Sequence, residues 1–326
     1  MFGIVIENDF FYIPAGWPKP TYDFSKNQIN QYKIDLGRVL FYDPILSKDS
    51  SVSCSSCHSP YNAFAHADHK LSHGIKDRVG NRNAPSLMHL AWQKNFMWDG
   101  AVHHLDVQAL SPISNPLEMD ESVGEVLKKL NRVKLYRELF FNAYRDSVAN
   151  SERMLKSLSQ FMLTLISADS KYDKVMSKQD SFTKQEENGY RIFKSNCSAC
   201  HTEPLFSNYE YENNGLIPDE KLNDIGRAKI SLHPQDSFKF KVPTLRNLQY
   251  SYPYMHDGRF QNLQDVVNHY NEEKFNHPSL SKKLKQKMNL TSKEKTDLIA
   301  FLLTLTDKSF IFNKNFGYPH SLIKRN

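Results

Sequence analysis

The chain has 326 residues, with 42 Lys plus Arg against 36 Asp plus Glu and so a formal charge of +6. Hydrophobic residues make up 40% and charged residues 24%, which excludes a collagen-like, wholly disordered or disulfide-dense scaffold. At about 150 residues per domain the length suggests roughly two domains. The mild basic excess suits an acidic partner without calling for nucleic acid. No apolar run reaches about 18 residues, so no membrane span is expected.

Residues 1–30 are rich in Pro, Asn and aromatics and read as an arm. Met1 to Phe11 carries Glu7 and Asp9 and lacks a basic, then apolar, leader pattern. Gln31–Tyr42 reads as a helix with Ile34, Val39 and Leu40 on one side, stopped by Asp43-Pro44. The first cysteine motif follows, on a loop or short helix. Ser59–Asn115 is irregular, studded with His, Asn, Gly and Pro; loops of that length are usually functional. Ser122–Tyr144 and Glu152–Leu165 show helical apolar spacing. Ser170–Ser181 reads as a boundary by its Lys, Ser and Asp content. Thr183–Phe193 is a helix with Thr183 and Glu186 as a capping box, leading into the second motif. Leu263–Tyr270 and Ser292–Leu305 complete the helical set. Phe310, Phe312 and Phe316 need cover, so residues 306–326 are expected to pack back on the first domain.

All four cysteines fall in two matching runs, Cys54-Ser55-Ser56-Cys57-His58 and Cys197-Ser198-Ala199-Cys200-His201. This is the attachment pattern of c-type haem. Two thiols three positions apart reach the two vinyl groups of one porphyrin edge. The following His lies under the iron as proximal ligand. A zinc ribbon would place its two cysteine pairs about 15–20 residues apart, far closer than these. A redox dithiol explains neither His58 nor His201. Covalent haem of this kind is installed outside the bacterial cytoplasm, so export to the periplasm is expected, with the signal sequence not visible. Strand-period alternation is scarce, and the order helix, motif, loop, ligand, helix occurs twice. The fold expected is all-α: two tandem cytochrome c-like domains, residues 1–170 and 171–305, each with one covalently bound haem c.

From about Ile13 to Leu305 the chain resembles the bacterial di-haem cytochrome c peroxidases, a family that includes the MauG-type enzymes. Beyond the haem motifs, the resemblance rests on several ordered segments. They are Leu36-Gly37-Arg38 through Phe41-Tyr42-Asp43-Pro44, Arg82-Asn83-Ala84-Pro85, Trp98-Asp99-Gly100 and Asn115-Pro116-Leu117-Glu118-Met119. Val242-Pro243-Thr244-Leu245-Arg246-Asn247 and Pro253-Tyr254-Met255-His256-Asp257-Gly258 complete them. The resemblance implies that hydrogen peroxide meets the haem held by His58. There Glu118 acts as general base, then general acid, with Gln108 as its hydrogen-bonding neighbour. It implies that Trp98 relays an electron hole between the haems. Asn83 and the carbonyls of Ser251 and Pro253 fall where the family binds calcium, an ion that takes oxygen ligands.

Two departures separate subgroups. The electron-transferring peroxidases have Met as sixth ligand of the second haem. Here that position, fourteen residues after His256, is Tyr270, as in MauG-type enzymes. Met255 and Met288 are the other candidates. A phenolate favours oxidised iron, whereas Met raises the potential. In many relatives a loop His after Leu-Ser-x-Gly closes the first haem at rest; here that place is Ile75, with His73 two residues earlier. An open first haem is expected, His73 being the residue that could close it. MauG's surface Trp, two residues before its second motif, is replaced by Ser195. Phe193 and Tyr190 are close in sequence but off that site. The leading reading is a peroxidase that draws electrons from a donor such as a small cytochrome c or cupredoxin. The alternative is a MauG-like oxidase acting on a partner protein or small molecule through a high-valent two-haem state. Relatives often dimerise, so a homodimer stays open. His66, His69, His103 and His104 read as solvated loop residues.

Overall fold

A computed structural model describes residues 10–284 and 286–323, together with the backbone of residues 4–5. Most of the segment 1–11 read for a leader lies outside these residues. The helices in chain order are α1 Gln31–Tyr42, α2 Cys54–Cys57, α3 Leu110–Ser114, α4 Val123–Arg132, α5 Lys134–Tyr144 and α6 Ser151–Leu163. Then come α7 Lys171–Met176, α8 Lys184–Asn196, α9 Ala228–Ser231, α10 Leu263–Asn271, α11 Ser292–Leu303 and α12 Lys308–Ile311. The strands are short: β1 Ile4–Val5 pairs antiparallel with β2 Tyr12–Ile13, and β3 Tyr211–Glu212 with β4 Phe240–Lys241. Among the described residues no helix is long and apolar enough to cross a membrane.

Two helix pairs form the frame. Helix α1 starts where the Asn30 side chain accepts from Lys33 N, and it ends at extended Asp43, which caps the turn at Pro44. It crosses α6 at Gly37, where a Cβ would sit 1.9 Å from the carbonyl oxygen of Ser157. Helix α8 starts with the Thr183–Glu186 capping box and crosses α11 at Gly189, where a Cβ would sit 1.9 Å from the Asp297 oxygen. Only a residue without a side chain allows either approach. Each pair nucleates its own buried cluster. The first gathers Leu36, Leu40, Phe41, Phe64, Leu158 and Phe161, with Phe310 and Ile311 from the C-terminal segment. The second gathers Tyr172, Phe193, Phe206, Leu298 and Phe301.

The C-terminal segment docks by polar contacts as well. Arg38 Nε donates to the Gly317 oxygen at 2.7 Å, and Tyr42 OH to the Phe316 oxygen at 2.6 Å. The stretch expected as one helix, 122–144, is broken at Val133, which is extended. Asn131 causes the turn: its amide donates to Ala149 O and its carbonyl accepts from Ala149 N, both at 2.9 Å. Within 170–181, the Ser and Asp read as boundary signals include a capping box. Ser170 and Asp173 start α7, and Asp173 also takes both terminal nitrogens of the buried Arg246 at 2.8 Å.

Candidate active site

The first motif lies on α2, a single helical turn opened by a Ser53–Ser56 capping box. One turn sets both cysteines on one side and releases His58 at its end, where His58 N donates to Cys54 O at 2.9 Å. The chain then folds back through two residues with positive φ, Ala63 at 54° and Phe64 at 57°. A non-glycine residue held there costs about 1–2 kcal/mol. Full burial of a Phe side chain returns about 1.5–3 kcal/mol. Phe64 is fully buried, its ring edge-on to those of Phe41, Phe161 and Phe310. The fold-back sets Phe64 O 2.8 Å from His58 Nδ1. Nδ1–H donates there, so Nε2 carries the free lone pair that an iron needs. Burial pushes the His58 pKa down to about 4, which keeps the ring neutral.

The second motif repeats the device. His201 N donates to Cys197 O at 2.9 Å. Its Nδ1 lies 3.1 Å from Phe206 O and 3.2 Å from Pro243 O. Phe206 has φ 53° and is fully buried against Tyr172 and Phe193. Burial brings the His201 pKa to about 4. The donor set fits a haem in each half. All four cysteines are free, and Cys54 packs on the first core and Cys197 on the second. Burial raises all four thiols, Cys54 and Cys197 to about 12. Thiol pairs in two separate cores suit one thioether-linked haem each; a single zinc ion would need all four together.

A single loop connects Glu118 to the first motif. His73 O accepts from Cys57 Sγ at 3.4 Å, and Ile75 N donates to Glu118 O at 2.8 Å. Between them, Gly74 presses so close that a Cβ would lie 2.2 Å from Leu117 O. Ile75 is buried and offers no ligand atom. The His73 ring packs on His69, with centroids 4.1 Å apart. The Glu118 carboxyl is raised above its ordinary value by burial, opposed by the Asn115 amide, which donates to Oε1 at 2.8 Å. The expected Gln108–Glu118 pairing is corrected here. Gln108 Nε2 turns to Met97 Sδ at 3.7 Å, while Asn115, three residues before Glu118 in the same turn, takes the partner's place.

Trp98 sits half-buried where the halves meet. Its indole N–H donates to Asn83 O at 2.8 Å, and its own carbonyl accepts from Lys241 N in β4 at 2.7 Å. Lys241 reaches back with a buried Nζ that donates to Gln93 Oε1 at 2.6 Å and Asn95 O at 2.9 Å. Next to Trp98, Asp99 pairs with Arg82, which also grips both carboxylate oxygens of Asp224, at 2.6 and 2.8 Å. Asn83 is buried; its N donates to His256 O at 2.7 Å and its Nδ2 to Lys70 O at 3.0 Å. None of these contacts involves Ser251 or Pro253.

At the second motif, Asn214 Nδ2 lies 3.4 Å from Tyr270 OH and 3.4 Å from Met255 Sδ. Tyr270 and Met255 therefore converge, and Met288 is not part of this group. Burial pushes the Tyr270 phenol up to about 12, and the Cys197 and Cys200 sulfurs are near enough to add to the shift. Ser195 is exposed on α8, its hydroxyl on Arg191 O at 3.1 Å. Asn115, Asn214, Phe64, Phe206 and Lys241 were not singled out from the sequence as site residues. The spacing of a Phe five or six residues after each motif His was the available signal for two of them.

Two cytochrome c-like halves, each with its own attachment turn and proximal imidazole, define a di-haem c-type cytochrome. Family models agree: residues 31–181 match the di-haem cytochrome c peroxidase model and residues 186–306 the cytochrome c model. The chain is 34% identical over 300 residues to the methylamine utilization protein MauG of Methylophilus methylotrophus, covering 90% of this chain and 86% of that protein. It is 33% identical over 277 residues to the cytochrome c551 peroxidase of Nitrosomonas europaea, covering 83% and 79%. The crystal structure of a MauG-like protein associated with microbial copper homeostasis superposes with a TM-score of 0.83 at 29% identity, covering 94% and 98%. The chain belongs to the bacterial di-haem cytochrome c peroxidase and MauG family, and is a di-haem oxidoreductase.

Proposed function

We propose that this chain is a MauG-like oxidase: it takes hydrogen peroxide as oxidant and uses the two oxidising equivalents on a partner protein or a small molecule. The observation that carries this is Tyr270, half-buried beside the second motif where the electron-transferring relatives have Met. When bound, the haems supply iron centres that exchange electrons with peroxide and substrate. His58 and His201 would hold them through Nε2, each imidazole fixed by its Phe carbonyl.

Glu118 moves the proton. Asn115 fixes Oε1, so Oε2 takes the proton of one peroxide oxygen and returns it to the other. Burial of the carboxyl raises its proton affinity and so makes it a better base for the first half of that transfer. Peroxide gains two electrons and two protons and leaves as two waters; the partner substrate supplies the electrons. Trp98, tied to Asn83 in one half and Lys241 in the other, spans the gap as hole relay. Ile75 leaves the peroxide side without a competing imidazole. Gln108, whose Nε2 turns to Met97 Sδ, has no part in this proton transfer. Ser195 argues for an exit to substrate different from MauG's surface Trp. Calcium at Asn83, Ser251 and Pro253, a periplasmic location and a homodimer are parts of this reading that rest on the family.

A second reading, the peroxidase fed by a small cytochrome c or a cupredoxin, is favoured by Met255, whose sulfur is as near Asn214 as the Tyr270 oxygen. Stopped-flow spectroscopy separates the two. Fully oxidised, haem-loaded protein should react with peroxide in milliseconds without prior reduction, and should turn over a reduced small cytochrome c poorly. Reaction only after one-electron reduction, with fast consumption of that cytochrome, would establish the peroxidase instead.

A further inference from the structure

Three histidines of the first-half loop have no part in the chemistry above, yet they share one place. His66 Nε2 and His69 Nδ1 are 3.5 Å apart. The ring centroids lie 5.2 Å apart for His66 and His69, 4.1 Å for His69 and His73, and 6.4 Å for His66 and His73. We propose that His66, His69 and His73 bind one borderline divalent cation, of the Zn²⁺ or Cu²⁺ kind, beside the first haem turn.

Imidazole is the natural ligand for such ions. With Zn–N bonds of 2.0–2.1 Å in a tetrahedron, two ligand nitrogens stand about 3.4 Å apart. The His66–His69 pair already has that spacing. His66 Nδ1 is buried without a partner. The Asp68 carboxylate lies within range to offset the cation's charge.

The loop ends are pinned. Ala65 bridges to Ser59 and His73 to Val79, and His73 O holds Cys57 Sγ. Among the described residues no three ligand side chains yet meet at one point. His73 stacks on His69 and has to turn its ring to complete the set, while exposed His69 has room to follow. A cation there would tie residues 66–73 into a clasp over the segment that leads to Gly74 and Glu118.

The test is equilibrium dialysis of the haem-loaded protein against Zn²⁺ at pH 7.5, with metal analysis and haem absorbance to confirm folding. The expected result is one zinc per chain beyond the two irons, with micromolar affinity. His66→Ala, His69→Ala and His73→Ala should each weaken it at least tenfold, while His103→Ala, in another loop, leaves it unchanged. Exposed His69 makes His69→Ala the variant least able to disturb the fold. No zinc above the level of the triple variant, or full affinity in any of the three single variants, would overturn the three-histidine site.

Discussion

The α1–α6 pair closes on Gly37 and the α8–α11 pair on Gly189. Each half then bends a buried Phe through positive φ to hold its motif histidine. The proximal sides of the two sites are thus copies. The facing residues are not. Glu118, Asn115 and the ligand-free Ile75 gather near the first motif; Tyr270, Met255 and Asn214 gather near the second. On the proposed reading, one scaffold offers a proton carrier in one half and a ligand in the other. The division of labour is therefore written in the distal residues, since the haem-holding parts are shared.

The strongest way to break the shared half of this comparison is Gly37→Ala set beside Gly189→Ala. Each puts a methyl 1.9 Å from a backbone oxygen that cannot move away cheaply. Each should cost about 3 kcal/mol and cut haem loading of its own half, read by thermal melting and haem-to-protein ratio. Glu118→Gln tests the unshared half. It keeps the shape, removes the titrating oxygen, and should slow the reaction with peroxide by about 10²–10⁴-fold in stopped flow. Tyr270→Phe should leave that step nearly unchanged and alter the second haem's spectrum instead.

Trp98→Phe is the sharper probe of how the halves communicate. It loses the bond to Asn83 O and should slow the spectral response of the second haem by an order of magnitude, with the first haem's peroxide step preserved. The smallest effect is a pH dependence of stability. Burial, reinforced by the Arg246 charge, drives the His89 pKa from 6.5 to about 3. As pH falls from 6.5 towards 3, the unfolded chain takes up a proton at this ring and the folded chain does not. Stability is therefore lost through that window, and a melting series should flatten in His89→Gln, which can still accept from Ser167 N.

What was legible in the sequence was mostly local. The α1 and α8 boundaries follow from caps one turn long, and the haem turns from five adjacent residues. The break at Val133 was hidden because Asn131 answers to Ala149, a partner brought close only by the fold. Glu118 could be found through its motif. Its true partner Asn115 stood three residues away in the same motif, while Gln108 was assigned by resemblance alone and faces Met97. The Arg82–Asp99–Asp224 clasp around Trp98 joins residues from both halves, and no periodicity along the chain reports such a contact.

The central claim is that the two irons sit in unlike surroundings on like supports. Low-temperature EPR of the fully oxidised, haem-loaded protein tests it directly. One high-spin signal, from a first haem left open by Ile75, beside one low-spin signal from the second is the predicted spectrum. Two low-spin signals with no high-spin component would contradict it, and would mean that His73 or another side chain closes the first site.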